Sequence, residues 1–416
     1  LKAYFEGKKE LFHGLAMEQL EQEWRVHPVL RLDLNTEKYD SIDSVDKKLD
    51  REFKVWEKLY GTEPAETTLP MRLEGIIQRA YEKTGERVVI LVDEYDKPLL
   101  QTITDKTLQD EFRATLKAVY GALKSMDGCI KFALLTGVTK FGQVSVFSDL
   151  NNLNDISMDS RFDEICGITE SELVHYFDSD IVALAQNNKQ KKEEAYKELA
   201  SRYDGYRFSE TCSGLYNPFS LLKCFKQRRF DSYWFDTATP TMLIKTLEKK
   251  PSDLLRYTKP IIIQESAFKN YDPESENLLP VLYQSGYLTI KDYDNDSELY
   301  TLGIPNREVE KGLFEIIIPK FTTITTDELG LSIENFRQSF IHADIEKLMT
   351  LLKAALADIP TILKKNQCEN YYETVTHVIF RQTGFTVISE FQSIAGRSDV
   401  VVATKDSVFI FELKMD

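Results

Sequence analysis

Apolar runs of five or six residues alternate with helical periodicities through the first third of the chain. Val29-Leu30-Arg31-Leu32-Asp33-Leu34, after a break at Pro28, predicts a strand. Arg72 to Thr84 carries Leu73, Ile76, Ile77 and Ala80 near helical spacing and stops at Gly85, which predicts a helix with a glycine end. Val88 to Val92 is an unbroken apolar strand ending in Asp93-Glu94. Phe112 to Leu123 then reads as helix, and Ile130 to Leu135 as a strand ending at Thr136-Gly137. Strands alternating with helices imply a mainly parallel sheet, with its ligand site off the carboxyl ends of the strands.

The middle is mostly helical in pattern. Glu170 to Asn187 and Lys191 to Tyr203 read as helices, and 219 to 260 as helical with breaks at Pro240, Pro251 and Pro260. Leu278 to Gly286, then Tyr287 to Ile290 and Leu299 to Leu302 across a polar turn, predict a helix followed by a hairpin, as in a small winged-helix-like unit. The acidic residues of that turn point to packing or a protein partner rather than nucleic acid. Residues 307 to 318 and 335 to 357 are expected to be amphipathic helices leading to the last segment.

At the C-terminal end, Val400 to Thr404 and Ser407 to Phe411 are apolar, β-branched and aromatic runs separated by Lys405-Asp406. They predict two antiparallel strands joined by a short turn. With a two-residue loop Thr404 lies opposite Ser407, and the same register puts Asp399 opposite Glu412. Their Cβ atoms would then be about 5 Å apart on one sheet face, close enough to share one Mg²⁺ at roughly 2.1 Å per oxygen. Lys414 points to the same face by alternation. Spacing alone fits an ordinary surface hairpin with a charged rim equally well. Both faces of the strands are apolar, however, which predicts a covered, central position, and charges at the edge of a buried sheet need a partner or a metal.

Asp93-Glu94 has the Walker B arrangement of five apolar residues followed by Asp-Glu. There the Asp holds the Mg²⁺ of a nucleotide and the Glu polarises the attacking water. A strand-end Asp that caps the following turn is the alternative. Thr136 stands at the end of the next strand, where a plain strand-end hydroxyl is the simple reading.

Composition narrows the classes. A chain of 416 residues with 42% hydrophobic content has room for two or three domains. With 52 basic and 67 acidic residues the net charge is −15, a poor match to a protein coated by nucleic acid. The five cysteines (Cys129, Cys166, Cys212, Cys224, Cys368) form no C-x-x-C pair and are expected to be buried free thiols in a reducing cytoplasm. The five histidines are isolated, so a zinc site is not expected. No run approaches the length of a membrane span and no signal peptide is visible, so no membrane association is expected. The chain opens on Leu1 and stops two residues after Lys414, so both ends are expected to be cut edges of something longer.

Two sets of motifs resemble one bacterial family. Gly396-Arg397-Ser398-Asp399, the strand after it and Glu412-Leu413-Lys414 are similar, over Tyr371 to Lys414, to the PD-(D/E)XK nuclease domain at the C-terminus of a family that begins with an AAA-ATPase-like domain. Val92 to Leu99, Leu135 to Phe141, Ser148 to Leu153, Cys166 to Glu170 and Leu215 to Phe219 are similar to the ATPase-like part, over about residues 1 to 240. The resemblance implies Asp399 and Glu412 as Mg²⁺ or Mn²⁺ ligands and Lys414 as the catalytic lysine. Glu390, Glu373 and Glu369 are the alternatives for a third acid, and Arg397 would contact phosphate. It also implies Asp93 and Glu94 at a nucleotide site, with Thr136 in the place of a polar γ-phosphate sensor.

The departure is the phosphate-binding loop. No G-x-x-x-x-G-K-[ST] precedes Val88, and Gly137 to Gly142 lacks both the lysine and the order. ATP is therefore expected only if such a loop lies upstream. The expected architecture is α/β: a P-loop-NTPase-like parallel sheet without its phosphate loop (1–168), a helical and winged-helix-like middle (169–330), and a truncated restriction-endonuclease-like α/β domain (331–416). The expected function is a Mg²⁺-dependent nuclease on DNA or RNA with an ATPase-like regulatory domain. The alternative is a catalytically idle scaffold that binds protein partners or itself.

Overall fold

The computed structural model describes residues 1–102, 105–138, 146–147, 150, 152–236, 256–271, 277–357, 368–393 and 396–413, leaving aside the side chains of 368–371, 390–393 and 396–397. The breaks anticipated at Pro240 and Pro251, the motif residues Thr139 to Phe141, and Ser148, Asp149 and Asn151 lie outside them. The chain forms two compact units, residues 1–155 with 266–285, and residues 156–265 with 286–416.

The first unit carries the expected parallel sheet. Strands β1 (Val29–Asp33), β2 (Val88–Asp93) and β3 (Ile130–Leu135) lie in the order β1-β2-β3, all parallel. Before and between them run α1 (Lys2–Phe5), α2 (Ala16–Leu20), α3 (Ser44–Tyr60), α4 (Leu69–Thr84), α5 (Lys97–Gln101) and α6 (Lys106–Ser125). Helix α4 begins where Thr68 accepts the Met71 amide, has Pro70 in its first turn, and ends at Gly85 with φ of 71°. Helix α3 had no counterpart in the sequence reading. Its apolar positions Val45, Leu49, Phe53 and Trp56 are buried, and Arg72 on α4 ties it down by reaching Asp50 and Glu57 at 2.7 Å each. Burial alternates along β1, with Leu30 and Leu32 inside and Arg31 exposed, so one sheet face is packed while Arg31 stands on the other.

The second unit begins with a helical cluster: α7 (Glu170–Tyr176), α8 (Asp178–Asn187), α9 (Lys192–Tyr203) and α10 (Pro218–Gln227). The expected single helix from Glu170 to Asn187 is two, parted at Phe177. A capping box between Thr169 and Glu172 starts α7. Leu173, Ile181, Leu184, Leu199, Tyr203 and Leu221 form the core of this cluster.

Helix α11 (Leu279–Gln284), part of the first unit, precedes a hairpin of the second, β5 (Thr289–Asp294) and β6 (Leu299–Gly303), as the sequence predicts. A third strand, β4 (Ile261–Ile263), pairs antiparallel with β6 and was not foreseen. Helix α12 (Arg307–Phe321) follows. The expected helix from 335 to 357 is two, α13 (Leu329–Ile341) and α14 (Ile345–Ala355). They are parted where Ala343 takes φ of 50° and Asp344 caps α14 through the Lys347 amide at 3.0 Å.

The last segment is α15 (Cys368–Gln382) followed by an antiparallel sheet in the order β7 (Thr386–Ser393), β8 (Gly396–Ala403), β9 (Val408–Phe411). Val400 pairs with Phe411 and Ala403 with Val408, which is the register anticipated from the two-residue turn. Thr404 closes the turn: its amide donates to the Ser407 carbonyl at 2.9 Å and its hydroxyl accepts the Ser407 amide at 3.0 Å. Phe409 and Phe411 sit under Phe340 of α13, with ring centroids 5.0 and 6.3 Å away, and Phe380 of α15 lies 4.9 Å from Phe411. The expectation of strands covered on both faces is corrected for β9. Val400, Val401 and Val402 of the central strand β8 are all buried, but Val408 and Ile410 are 65% and 64% exposed, because β9 is an edge strand.

Candidate functional sites at two sheet ends

The C-terminal site follows from the hairpin register. Continuing the ladder one step past Val400 and Phe411 brings Asp399 opposite Glu412. The bond from the Leu413 amide to Asp399 Oδ2, 2.7 Å, holds the two chain ends together at that step. Alternation places Asp399 and Glu412 on the open face, opposite the one packed on Phe340 and Phe380. Asp399 is half-buried and Glu412 exposed. Two adjacent carboxylates are hard oxygen donors of the kind that suits Mg²⁺ or Mn²⁺, so the donor set fits the ion that the resemblance implies.

A third ligand is not assembled among the described residues, where no three metal-ligating side chains converge. By backbone register Glu390 falls between Ser389, which pairs with Val400, and Phe391, which pairs with Ser398. It therefore stands across from Asp399 in the same row. The side chains of Glu390, Glu369 and Arg397, and all of Lys414, lie outside the described residues.

Glu373 goes elsewhere. It is 4% exposed and its Oε1 pairs with Lys259 Nζ at 3.1 Å, on the helix that covers the other sheet face. One turn later His377 Nδ1 meets Ser389 Oγ at 2.7 Å. Burial, with Arg381 and Lys259 nearby, pushes the imidazole down to about 4. This pair, absent from the sequence reading, ties α15 to β7.

The N-terminal site lies off the carboxyl ends of the parallel strands. Asp33 pairs in register with Asp93. The ladder runs on through the Thr136 amide to the Val92 carbonyl at 2.8 Å and the Tyr95 amide to the Thr136 carbonyl at 2.9 Å. Asp33, Asp93 and Thr136 thus form one row across three strands. The Thr136 hydroxyl donates to Asp93 Oδ1 at 2.8 Å, while Arg31 Nη2 reaches Asp33 Oδ2 at 3.3 Å and Asp93 Oδ2 at 3.4 Å.

Glu94 takes φ of 55°, a left-handed conformation uncommon for a residue with a side chain. It turns the chain so that Tyr95 and Asp96 go inward. Buried Asp96 accepts the Val138 amide at 3.2 Å, and a Cβ on Gly137 would lie 2.4 Å from Asp96 Oδ1, so this approach requires glycine. The sequence reading found Asp93, Glu94 and Thr136 but missed Arg31 and Asp33. The one signal for Asp33 was an acid near the end of an apolar strand, as at Asp93.

Of the cysteines, Cys212 and Cys224 are buried, but Cys129 is half-buried and Cys166 exposed, which corrects the expectation for those two. No helix among the described residues is long and apolar enough to cross a membrane.

Comparison with known proteins matches the two ends of the chain. A family model described as a predicted AAA-ATPase matches residues 1–147, and one for the PD-(D/E)XK nuclease superfamily matches residues 367–416. An "Uncharacterized protein in vnfD 5'region" of Azotobacter chroococcum mcd 1 is 32% identical over 426 residues, covering all of this chain and 79% of that protein. No solved structure matches the chain. The chain belongs to the family of this Azotobacter protein, with an AAA-ATPase-like region at its start and a PD-(D/E)XK nuclease-like region at its end.

Proposed function

We propose that the protein is a divalent-metal-dependent nuclease hydrolysing phosphodiester bonds of DNA or RNA, governed by nucleotide binding at its N-terminal sheet. The observation that carries this reading is the hairpin register, in which Val400 pairs with Phe411 and one further step would bring Asp399 opposite Glu412. In this reading those two carboxylates hold Mg²⁺ or Mn²⁺. A bound ion would lower the pKa of its water and offset charge on the phosphate. Leu413, through its amide, fixes the orientation of the Asp399 carboxylate. Lys414 is assigned by resemblance to orient the attacking water. At the other site Asp93 would hold the metal of a nucleotide, Glu94 would polarise water, and Thr136 would read the terminal phosphate. The reading places the protein in the cytoplasm.

A second reading, a catalytically idle scaffold, is favoured by the net charge of −15 and by the exposed apolar side chains Ile388, Ile410 and Val408 of the same sheet. One assay separates the two. Plasmid, single-stranded DNA and RNA are incubated with the full chain in Mg²⁺ or Mn²⁺, against Asp399→Ala. The nuclease reading expects metal-dependent cleavage that falls to background in the variant. Cleavage unchanged in the variant, or none on any substrate with no metal bound, favours the scaffold.

A further inference from the structure

At the N-terminal site both oxygens of Asp93 are already engaged. Oδ1 accepts from the Thr136 hydroxyl at 2.8 Å and Oδ2 lies 3.4 Å from Arg31 Nη2. The arginine is not there by accident of a loop. It stands on β1 two residues before Asp33, and residues two apart on a strand share a face. Its bonds to Asp33 and to Asp93, the paired residues at the ends of β1 and β2, carry its side chain along the sheet toward the carboxyl end. Asp33, 3.3 Å from the same nitrogen, anchors it from the other side.

A guanidinium there brings a single positive charge to the oxygen that a divalent ion would take. The two cations cannot share Asp93 Oδ2 without repulsion at close range. An ion entering must displace Arg31, whose planar fork of donors suits phosphate oxygens.

We propose that Arg31 is a resident counter-ion of the nucleotide site: it competes with the divalent ion for Asp93, and is released toward a phosphate-bearing ligand when the metal arrives. The inference rests on the reading of Asp93 as a metal-holding residue. Arg31 is a positioning residue in this scheme, and Asp33 its anchor. By reciprocity, whatever draws Arg31 away strengthens metal binding at Asp93.

The test measures Mn²⁺ affinity by electron paramagnetic resonance on the full chain carrying Asp399→Ala and Glu412→Gln, so that the C-terminal acids do not contribute. In that background Asp93→Asn should abolish the remaining tight site. Arg31→Gln should tighten it by about fivefold, the scale of a half-exposed ion pair, and Arg31→Lys, which keeps the charge, should stay near the parent value. Arg31 is about half exposed, so the fold should tolerate the change, and thermal unfolding checks it. Loss of the site in Asp93→Asn with unchanged or weaker affinity in Arg31→Gln overturns the counter-ion and leaves the metal reading intact. Unchanged binding in Asp93→Asn overturns both.

Discussion

The two sheets solve the same problem, holding carboxylates at a strand end, in opposite ways. In the parallel sheet Asp93 lies between a hydroxyl from one neighbouring strand and an arginine from the other, so the protein supplies partners for the acid. In the antiparallel sheet Asp399 takes one backbone amide and Glu412 stands exposed on an open face. A carboxylate satisfied from within binds a metal only by exchange, whereas one left open can take it directly. On the function proposed above, the contrast would make the first site gated and ligand-responsive and the second a standing metal site.

The comparison can be broken most sharply at the support of the C-terminal sheet. Phe340 is 1% exposed and stacks edge-on to Phe380 and Phe409 at 5.0 Å each. Phe340→Ala should cost about 3–5 kcal/mol, read as a lower midpoint of chemical denaturation, and should disorder the hairpin while the parallel sheet of the first unit persists. Equal loss of both sheets would show that the second site is not independently supported.

A pH series sharpens the same contrast. His377 has a folded pKa of about 4, below its ordinary 6.5, because burial disfavours the charged ring. Between those values the unfolded chain binds the extra proton. Stability of the second unit should therefore be full above about pH 6.5 and fall by up to about 3 kcal/mol on the way to pH 4. His377→Gln should flatten that slope.

In the first unit, Gly137→Ala would press a Cβ onto the buried Asp96 carboxylate and should cost about 2 kcal/mol. Hydrogen exchange should show it as faster exchange at the end of β3, with the hairpin unaffected. The smallest effect tests the turn: Thr404→Val removes the acceptor for the Ser407 amide and should cost about 1 kcal/mol.

The same contrast explains what the sequence could disclose. The relation of Asp399 to Glu412 was legible because a two-residue turn fixes every pairing in a hairpin, and both strands lie within a dozen residues. The relation of Asp33 to Asp93 was not, because a parallel register across α3 and α4 is set by helix packing rather than by any local count. Asp93 and Thr136 could be named from strand-end chemistry, yet their mutual bond could not. Helix α3 went unread although its apolar face is regular, and the open face of β9 was hidden because an apolar strand reads alike whether or not something covers it. Glu373 looked available as an acid until its partner, Lys259, proved to come from more than a hundred residues upstream.

The most direct test of the central claim is a Mn²⁺ titration of the full chain carrying Asp93→Asn, with and without Asp399→Asn, followed by electron paramagnetic resonance. The account predicts a bound ion in the first protein that is lost in the second. Equal binding in both, or none in either, would contradict the assignment of Asp399 and Glu412 as a metal-holding pair.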